Sequence, residues 1–253
     1  MKDKSHIVLM SLMVLFLASC SHNHPAYIAH AGGCIDGVFY TNSLEAIDHA
    51  ISCGIKIVEL DLVLTTDGDI VAAHDWPSFH AATGHKGDSC AICTSEFRAR
   101  KIHGRYTPVT AAMIDSVMVA HPDIYLMTDK ISDPGILQQL PHRKRIMVEA
   151  FTLHDYFALK KMGFYKVFYS QSPEPYQSVL ARRKQQSSDT PAPPVPERYT
   201  FWVLGEGHRD NTPDYVSAYG KEFAVFAVPN RHAADSLAAL DKRIKYVYID
   251  EVE

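Results

Sequence analysis

The segment from Ile57 to Trp76, IVELDLVLTTDGDIVAAHDW, places acidic residues and a histidine in the most apolar part of the chain. Glu59 and Asp61 are two positions apart, so both carboxylates would point to the same face of a β-strand. Burying a carboxylate costs free energy unless a metal, a cation or hydrogen bonds compensate its charge. The pair therefore predicts a shared divalent cation.

Other groups that could do chemistry follow three further apolar segments. His30 follows AYIA, His74 follows DIVAA, and Asp129 and Lys130 end DIYLMTDK. Two histidines suit acid-base catalysis, because an unperturbed pKa of about 6.5 lets one accept and the other donate a proton near neutrality. A set of carboxylates without a thiolate pair favours Ca²⁺ or Mg²⁺ over zinc. These groups can act together only if the fold brings them to one place.

Strand and helix patterns alternate along the chain from Ala26 almost to its end. The stretch Ala26 to Gly33 predicts the first strand. Asn42 to Gly54 predicts a helix, with Asn42 and Glu45 in capping-box spacing and the glycine as its stop. After the second strand, the pair Asp67-Gly68 is typical of a hairpin turn and would carry His74 back toward the same end of the sheet.

Later strands and helices follow in regular order after a loop-rich stretch from Pro77 to Arg105. Counting the hairpin as one element gives eight strand positions, each followed by a helix except the last. This alternation predicts a single-domain (β/α)8 TIM barrel with a β-hairpin extension after strand 2. An open doubly wound sheet is the alternative, although no GxGxxG or Walker pattern supports it. The later strands are predicted at Asp123–Lys130, Arg145–Phe151, Tyr165–Ser170, Tyr199–Gly207, Phe223–Asn230 and Ile244–Asp250.

Functional groups of a barrel gather at the C-terminal ends of its strands. The hairpin returns His74 to that end, where His30 and the acids also lie. We therefore expect Glu59, Asp61 and Asp129 to hold one ion, with a histidine on either side.

The N-terminus has the pattern of a targeting segment. Lys2 and Lys4 precede an apolar run from Ile7 to Ala18, which is too short to span a bilayer comfortably but suits a secretory signal. The run ends in LASC, which resembles the bacterial lipoprotein box and makes Cys20 the candidate for lipidation. A plain signal peptide is the alternative.

This pattern divides the chain into a signal peptide (residues 1–19), a tether (20–25) and the barrel domain (26–253). It predicts a protein of the cell envelope, lipid-anchored to a bacterial membrane and facing the periplasm or the exterior.

The net charge of the chain argues against a nucleic-acid-binding protein. A formal net charge of -4 gives no sign of the basic surface that nucleic-acid binding requires.

The cysteines after Cys20 are candidates for a disulfide. In an exported protein, thiols tend to be oxidised. We expect a structural disulfide between Cys90 and Cys93, or between one of them and Cys34. CAIC could instead be a redox or zinc motif, but no second CxxC pair accompanies it.

The segments AHAGG, TNSLEA, VELDLVLTTDGDIVAAHDW and LMTDK, in that order, resemble the glycerophosphodiester phosphodiesterases and the wider phosphatidylinositol-phospholipase-C-like barrels. The match is dense from Ala29 to Trp76. The resemblance implies a metal-dependent phosphodiesterase, with His30 and His74 as the acid-base pair and Glu59 and Asp61 as ligands.

Departures from the family pattern concern phosphate binding and the third ligand. Ala31 stands where the family has an arginine, and Thr41 replaces a glutamate. Lys130 is the candidate substitute for the lost arginine. Asp129 is the preferred third ligand and Glu149 the reserve. Because Asp129 and Lys130 are adjacent, their side chains should diverge on a regular strand.

The remaining candidates for substrate binding are Asn42, as likely a helix cap as a phosphate neighbour, and the strand-end residues Trp202, Glu206 and Asn230. The predicted activity is hydrolysis of glycerophosphodiesters or related phospholipid headgroup phosphodiesters, which are small molecules. One alternative is a catalytically weak lipoprotein that binds phosphodiesters with the same barrel. A glycoside hydrolase is less favoured, because Glu59 and Asp61 share one strand instead of facing each other across a bond.

Overall fold

A computed structural model describes residues 24–170, 196–202 and 220–253 of the chain. Eight of its strands are parallel, and β1 pairs with both β2 and β9, so the sheet closes on itself. The predicted (β/α)8 TIM barrel is confirmed, and the open sheet is excluded. The strands are β1 (Ala26–Ala29), β2 (Ile57–Leu64), β3 (Ile70–Ala72), β4 (Tyr125–Asp129), β5 (Ile146–Ala150), β6 (Lys166–Ser170), β7 (Arg198–Trp202), β8 (Glu222–Val228) and β9 (Ile244–Ile249).

Helices connect the strands on the outside of the barrel. The predicted helices between β6 and β7 and between β7 and β8 lie outside the described residues. In the described part of the chain, no helix has the length and apolar character needed to cross a bilayer. The helices are α1 (Leu44–Ser52), α2 (Trp76–Ala82), α3 (Thr94–Ala99), α4 (Ala111–Ala120), α5 (Pro134–Leu137), α6 (Leu153–Lys161) and α7 (Arg231–Leu240).

Helix α1 begins one residue later than its sequence pattern predicts. Ser43 is the N-cap, and its side chain accepts a hydrogen bond from the Ala46 amide. The capping-box prediction for Asn42 and Glu45 is therefore wrong. Glu45 instead accepts two hydrogen bonds of 2.8 Å, from the amide and the hydroxyl of Thr107. Asn42 therefore does not cap α1, and its side chain can make contacts inside the barrel instead.

The hairpin extension is confirmed, and its continuation is more ordered than predicted. Strand β3 pairs antiparallel with the end of β2 through Leu64 and Ile70. The stretch predicted to be loop-rich contains α2 and α3, which are seven and six residues long. Each helix buries one phenylalanine, and the rings of Phe79 and Phe97 stack at 4.5 Å. This local aromatic cluster stabilises helices too short to form alone.

Alternation along β2 separates the helical layer from the barrel interior. Val58, Leu60 and Leu62 belong to the large core between strands and helices. Ile57 points inward, where it joins an apolar cluster contributed by several strands. Glu59 and Asp61 lie on the same inward face, closer to the C-terminal end. The interior therefore has an apolar lower layer and an acidic upper layer.

The predicted disulfide is not present, because Cys34, Cys53, Cys90 and Cys93 are all free thiols in the structure. Cys93 is the N-cap residue of α3, and its sulfur lies 3.2 Å from the Ser95 hydroxyl. Its position is set by the helix start.

The first strand ends earlier than predicted, and Gly33 closes the turn that follows it. A single 3-10 turn, His30–Gly32, succeeds β1. Gly33 has φ 90° and ψ 172°, a region open only to glycine, and a Cβ there would lie 2.7 Å from Val252 Cγ1.

We expect Gly33→Ala to lower the free energy of unfolding by about 2 kcal/mol or more, since backbone strain and a steric clash add. The matched control is Gly68→Ala in the hairpin turn, where φ is 86° and nothing lies within 4 Å of the added Cβ. That variant should lose about 1 kcal/mol from strain alone. Urea unfolding measures both, and equal losses would contradict the packing role of Gly33.

Candidate active site

Three acidic side chains converge at the C-terminal end of the barrel. Asp61 of β2 and Asp129 of β4 are register partners on neighbouring parallel strands, and Glu59 lies two residues below Asp61. Carboxylate oxygens of all three lie within 4.8 Å of one another. The sequence-based prediction that these residues meet is confirmed.

The acids carry strong mutual electrostatic effects. Glu59 and Asp61 are 2% and 4% exposed, and the Ala31 amide donates a 2.7 Å hydrogen bond to Glu59 Oε2. Burial, followed by the charges of Asp61 and Asp129, raises the pKa of Glu59 well above its ordinary value. Burial, followed by the charges of Asp61 and Glu149, does the same to the pKa of Asp129. Three carboxylates this close together repel one another when they are ionised.

One carboxylate oxygen of this cluster is left without a partner. Asp129 Oδ1 is buried and makes no hydrogen bond to any of the described residues. Leaving a buried charged acceptor without a partner is costly. Three carboxylates around one point are a donor set for a hard divalent cation such as Ca²⁺ or Mg²⁺. Glu59, Asp61 and Asp129 therefore fit such an ion.

Lys130 turns back toward the acids, so the predicted divergence from Asp129 is wrong. Strand β4 ends at Asp129, and Lys130 adopts a left-handed backbone conformation with φ 61°. Its Nζ lies 3.2 Å from Asp129 Oδ2 and 3.5 Å from Asp61 Oδ1. Burial lowers the pKa of Lys130, but the charges of Asp129 and Asp61 outweigh it and raise the pKa.

The two candidate histidines line the same cavity, and each is oriented by a carboxylate. His30 Nδ1 lies 2.8 Å from Asp250 Oδ1, and the Tyr40 hydroxyl donates to Asp250 Oδ2 at 3.2 Å. His74 Nδ1 lies 2.9 Å from Asp75 Oδ2. A carboxylate accepts hydrogen bonds, so these contacts place the proton on Nδ1 of each ring. Nε2 remains available for proton transfer.

A cavity of about 450 Å³ encloses this arrangement. The reserve ligand Glu149 lies on β5 beside the acids, and it accepts a short hydrogen bond from the Tyr248 hydroxyl. Burial comes first among the causes that raise the pKa of both Glu149 and Tyr248. The described lining residues that sequence reasoning did not assign to the site are Tyr40, Phe226, Pro229, Tyr248 and Asp250.

Two residues that precede α1 are buried and are not among the residues that line the cavity. Asn42 is 1% exposed; its Nδ2 donates to Asp61 Oδ2 at 3.0 Å, and its Oδ1 accepts from the Asp61 amide at 3.0 Å. Thr41 is buried, with its hydroxyl 2.9 Å from that of Ser43. Asn42 therefore holds Asp61 and does not line the cavity.

The remaining predicted lining residues have different outcomes. The Trp202 backbone pairs with Phe226 in the barrel, but its side chain lies outside the described part of the structure, as does Glu206. The prediction for Asn230 is wrong, because its side chain caps α7 by accepting from the Ala233 amide at 3.1 Å.

Comparison with known proteins identifies the family. The model of the glycerophosphoryl diester phosphodiesterase family matches residues 20–215. No curated protein sequence matches the chain.

Solved structures share the fold at low sequence identity. A glycerophosphodiester phosphodiesterase from Thermotoga maritima is 20% identical with a TM-score of 0.62, covering 91% of this chain and 96% of its own. An Oleispira antarctica phosphodiesterase in complex with the product sn-glycerol-3-phosphate is 18% identical with a TM-score of 0.62, covering 90% and 93%. The chain thus belongs to the glycerophosphoryl diester phosphodiesterase family and is a phosphoric diester hydrolase.

Proposed function

We propose that this protein hydrolyses glycerophosphodiesters or related phospholipid headgroup phosphodiesters, with His30 and His74 as the acid-base pair. Glu59, Asp61 and Asp129 hold a divalent cation, Ca²⁺ or Mg²⁺. The observation that carries the proposal is the meeting of these acids in a cavity lined by both histidines. The Oleispira antarctica structure with bound sn-glycerol-3-phosphate supports the substrate class.

The histidines supply the proton transfers. With Nδ1 held by Asp250 or Asp75, Nε2 of one ring accepts the proton of water or of a neighbouring substrate hydroxyl as it attacks phosphorus. Nε2–H of the other ring donates to the leaving alkoxide. The bound cation supplies neutralisation of the buried acids and polarisation of a phosphoryl oxygen. Tyr40 and Asp250 orient His30, and Asn42 orients Asp61.

Lys130 takes the place of the phosphate-binding arginine that Ala31 cannot supply. In the part of the cavity that the structure describes, it is the sole lysine or arginine. The Lys130 side chain is 35% exposed, so its amine can reach a substrate phosphate while remaining beside the acids.

We expect Lys130→Met to raise KM for glycerophosphocholine by about 10- to 100-fold, since a charge-assisted hydrogen bond contributes about 1.5–3 kcal/mol. The affinity for Ca²⁺ should not fall, because removing a cation leaves the acids more negative. Steady-state kinetics and calorimetry with Ca²⁺ separate the two effects. An unchanged KM would remove Lys130 from phosphate binding.

The reaction itself is tested by incubating the purified protein with glycerophosphocholine after chelation and after adding back Ca²⁺ or Mg²⁺. We expect release of choline and glycerol phosphate that stops on chelation and returns with the metal. Metal binding without hydrolysis of a panel of phosphodiesters would favour a binding protein. Release of reducing sugar from glycosides would favour a glycoside hydrolase.

We also propose that the protein is exported and lipid-anchored through Cys20. The family match begins at residue 20, which leaves the apolar leader outside the matched domain and supports a separate role for it. We expect the wild-type chain to incorporate labelled palmitate and to partition into detergent on phase separation in a bacterial host, and Cys20→Ser to lose both. Incorporation by the variant would contradict the assignment.

A further inference from the structure

Basic side chains cluster at the end of the barrel opposite the cavity. The barrel strands are parallel, so the segments that precede them meet at one end, and the candidate active site lies at the other. Helices α4, α6 and α7 end there as well. We call this end the basic face, and its exposed basic residues include Lys56, Arg143, Lys144, Lys161, Lys242 and Lys245.

Most of these charges are uncompensated. Lys56 pairs with Asp123, but the other five make no ion pair with any acid in the described ranges. Three further acids at this end, Glu197, Glu222 and Asp241, are already paired with other lysines and arginines. The chain as a whole has a formal net charge of -4. The basic face is therefore positively charged although the net charge of the protein is negative. An anionic surface would attract this face and orient the molecule.

Apolar side chains accompany the charges. Val119 near the end of α4, Tyr165 before β6 and Leu240 at the end of α7 are 65%, 45% and 59% exposed. A cavity of about 510 Å³ opens on the same face, lined by the run His142 to Arg145 with Met162 and Gly163. Exposed apolar groups among lysines and arginines are typical of a protein surface that contacts lipid headgroups and the upper acyl region.

The chain outside the structure enters at the same end. Strand β1 begins at Ala26 on the basic face, and the residues before it include the apolar run from Ile7 to Ala18 and Cys20. The five residues between Cys20 and Ala26 extend at most about 18 Å. A membrane attachment through this segment would hold the basic face against the bilayer.

We propose that the basic face docks on an anionic lipid bilayer and that the candidate active site opens away from the membrane. Opposite charges give the attraction, the apolar side chains add contact area, and the N-terminal segment sets the distance. The proposal concerns a surface remote from the catalytic groups and does not depend on the reaction assigned to them.

Hydrogen-deuterium exchange of the full chain, mixed with vesicles, tests the proposal. With vesicles of phosphatidylcholine and phosphatidylglycerol at low salt, we expect slower exchange in peptides covering residues 142–146 and 160–166. Phosphatidylcholine alone or 0.5 M NaCl should abolish this protection. The apolar N-terminal run can insert into either lipid, so only the difference between the two vesicle types reports on the basic face.

Charge-reversal variants test which basic residues bind the vesicles. The triple variant Arg143→Glu, Lys144→Glu and Lys161→Glu should weaken the anionic component of vesicle binding by about 100-fold, since each cation near the surface contributes about fivefold. The matched control is Lys86→Glu with Arg98→Glu and Lys101→Glu, exposed residues of the segment beyond the hairpin. Circular dichroism verifies folding of both.

Any of three results would overturn the proposal. The first is protection by anionic vesicles at the cavity rim around Phe39 and Tyr40 in place of the basic face. The second is equal binding to neutral and anionic vesicles, and the third is an equal loss of binding in both triple variants. None of these results bears on hydrolysis of a soluble diester, which is measured separately.

Discussion

Replacing either His30 or His74 with alanine is expected to lower kcat by about 10²- to 10⁴-fold, the range that a positioned acid or base contributes. Neither ring belongs to the core, since their side chains are 25% and 54% exposed. Folding should therefore be intact, with a melting temperature close to that of the wild type. Steady-state hydrolysis of glycerophosphocholine at a saturating metal concentration measures the loss.

His85→Ala is the matched control for the histidine variants. His85 is exposed in the extension after α2, and its ring contacts the Thr83 carbonyl at 3.0 Å. We expect this variant to keep wild-type kcat and KM. Full activity in either His30→Ala or His74→Ala would remove that residue from proton transfer.

Asp129→Asn is expected to weaken binding of Ca²⁺ or Mg²⁺ by at least about 100-fold and to lower turnover correspondingly. Without metal, the same substitution should stabilise the folded protein. The folded-state pKa values of Glu59 and Asp129 are raised, so the folded protein binds protons more tightly than the unfolded chain. Stability is then lost as the pH rises from about 4 through the folded pKa values.

Removing one of these acids should make that loss smaller. Thermal unfolding in chelator between pH 4 and pH 8 compares Asp129→Asn with wild type, and Asp88→Asn, an exposed acid, is the control. We expect the Asp129 variant to melt higher than wild type without metal at pH 8 and lower than wild type with Ca²⁺. A variant that melts lower than wild type in chelator would contradict the like-charge repulsion.

Sequence periodicity was sufficient for the barrel. Alternating strands and helices predict a parallel sheet, and the number of units predicts closure. The Glu59 and Asp61 pair follows from the side-chain period of two along a strand, and Asp67-Gly68 fixes the hairpin that carries His74. These features depend on neighbours in sequence, which is why they could be predicted.

Features set by backbone turns and distant contacts could not be predicted in this way. Lys130 reaches the acids because the strand ends one residue earlier and the backbone becomes left-handed. Asp250 meets His30 from the opposite end of the chain. Tyr246 and Tyr248 in the last strand and Asp250 directly after it alternate with other residues, and that pattern could have indicated the second wall of the cavity.

The central claim is that Glu59, Asp61 and Asp129 share one cation. A crystal structure determined in the presence of Ca²⁺ tests it most directly, with anomalous scattering to locate the ion. We expect one ion in the cavity with an oxygen of each carboxylate within about 2.6 Å and with His30 and His74 on either side. An ion bound elsewhere, or Lys130 still bridging Asp61 and Asp129 with no ion present at a saturating concentration, would contradict the claim.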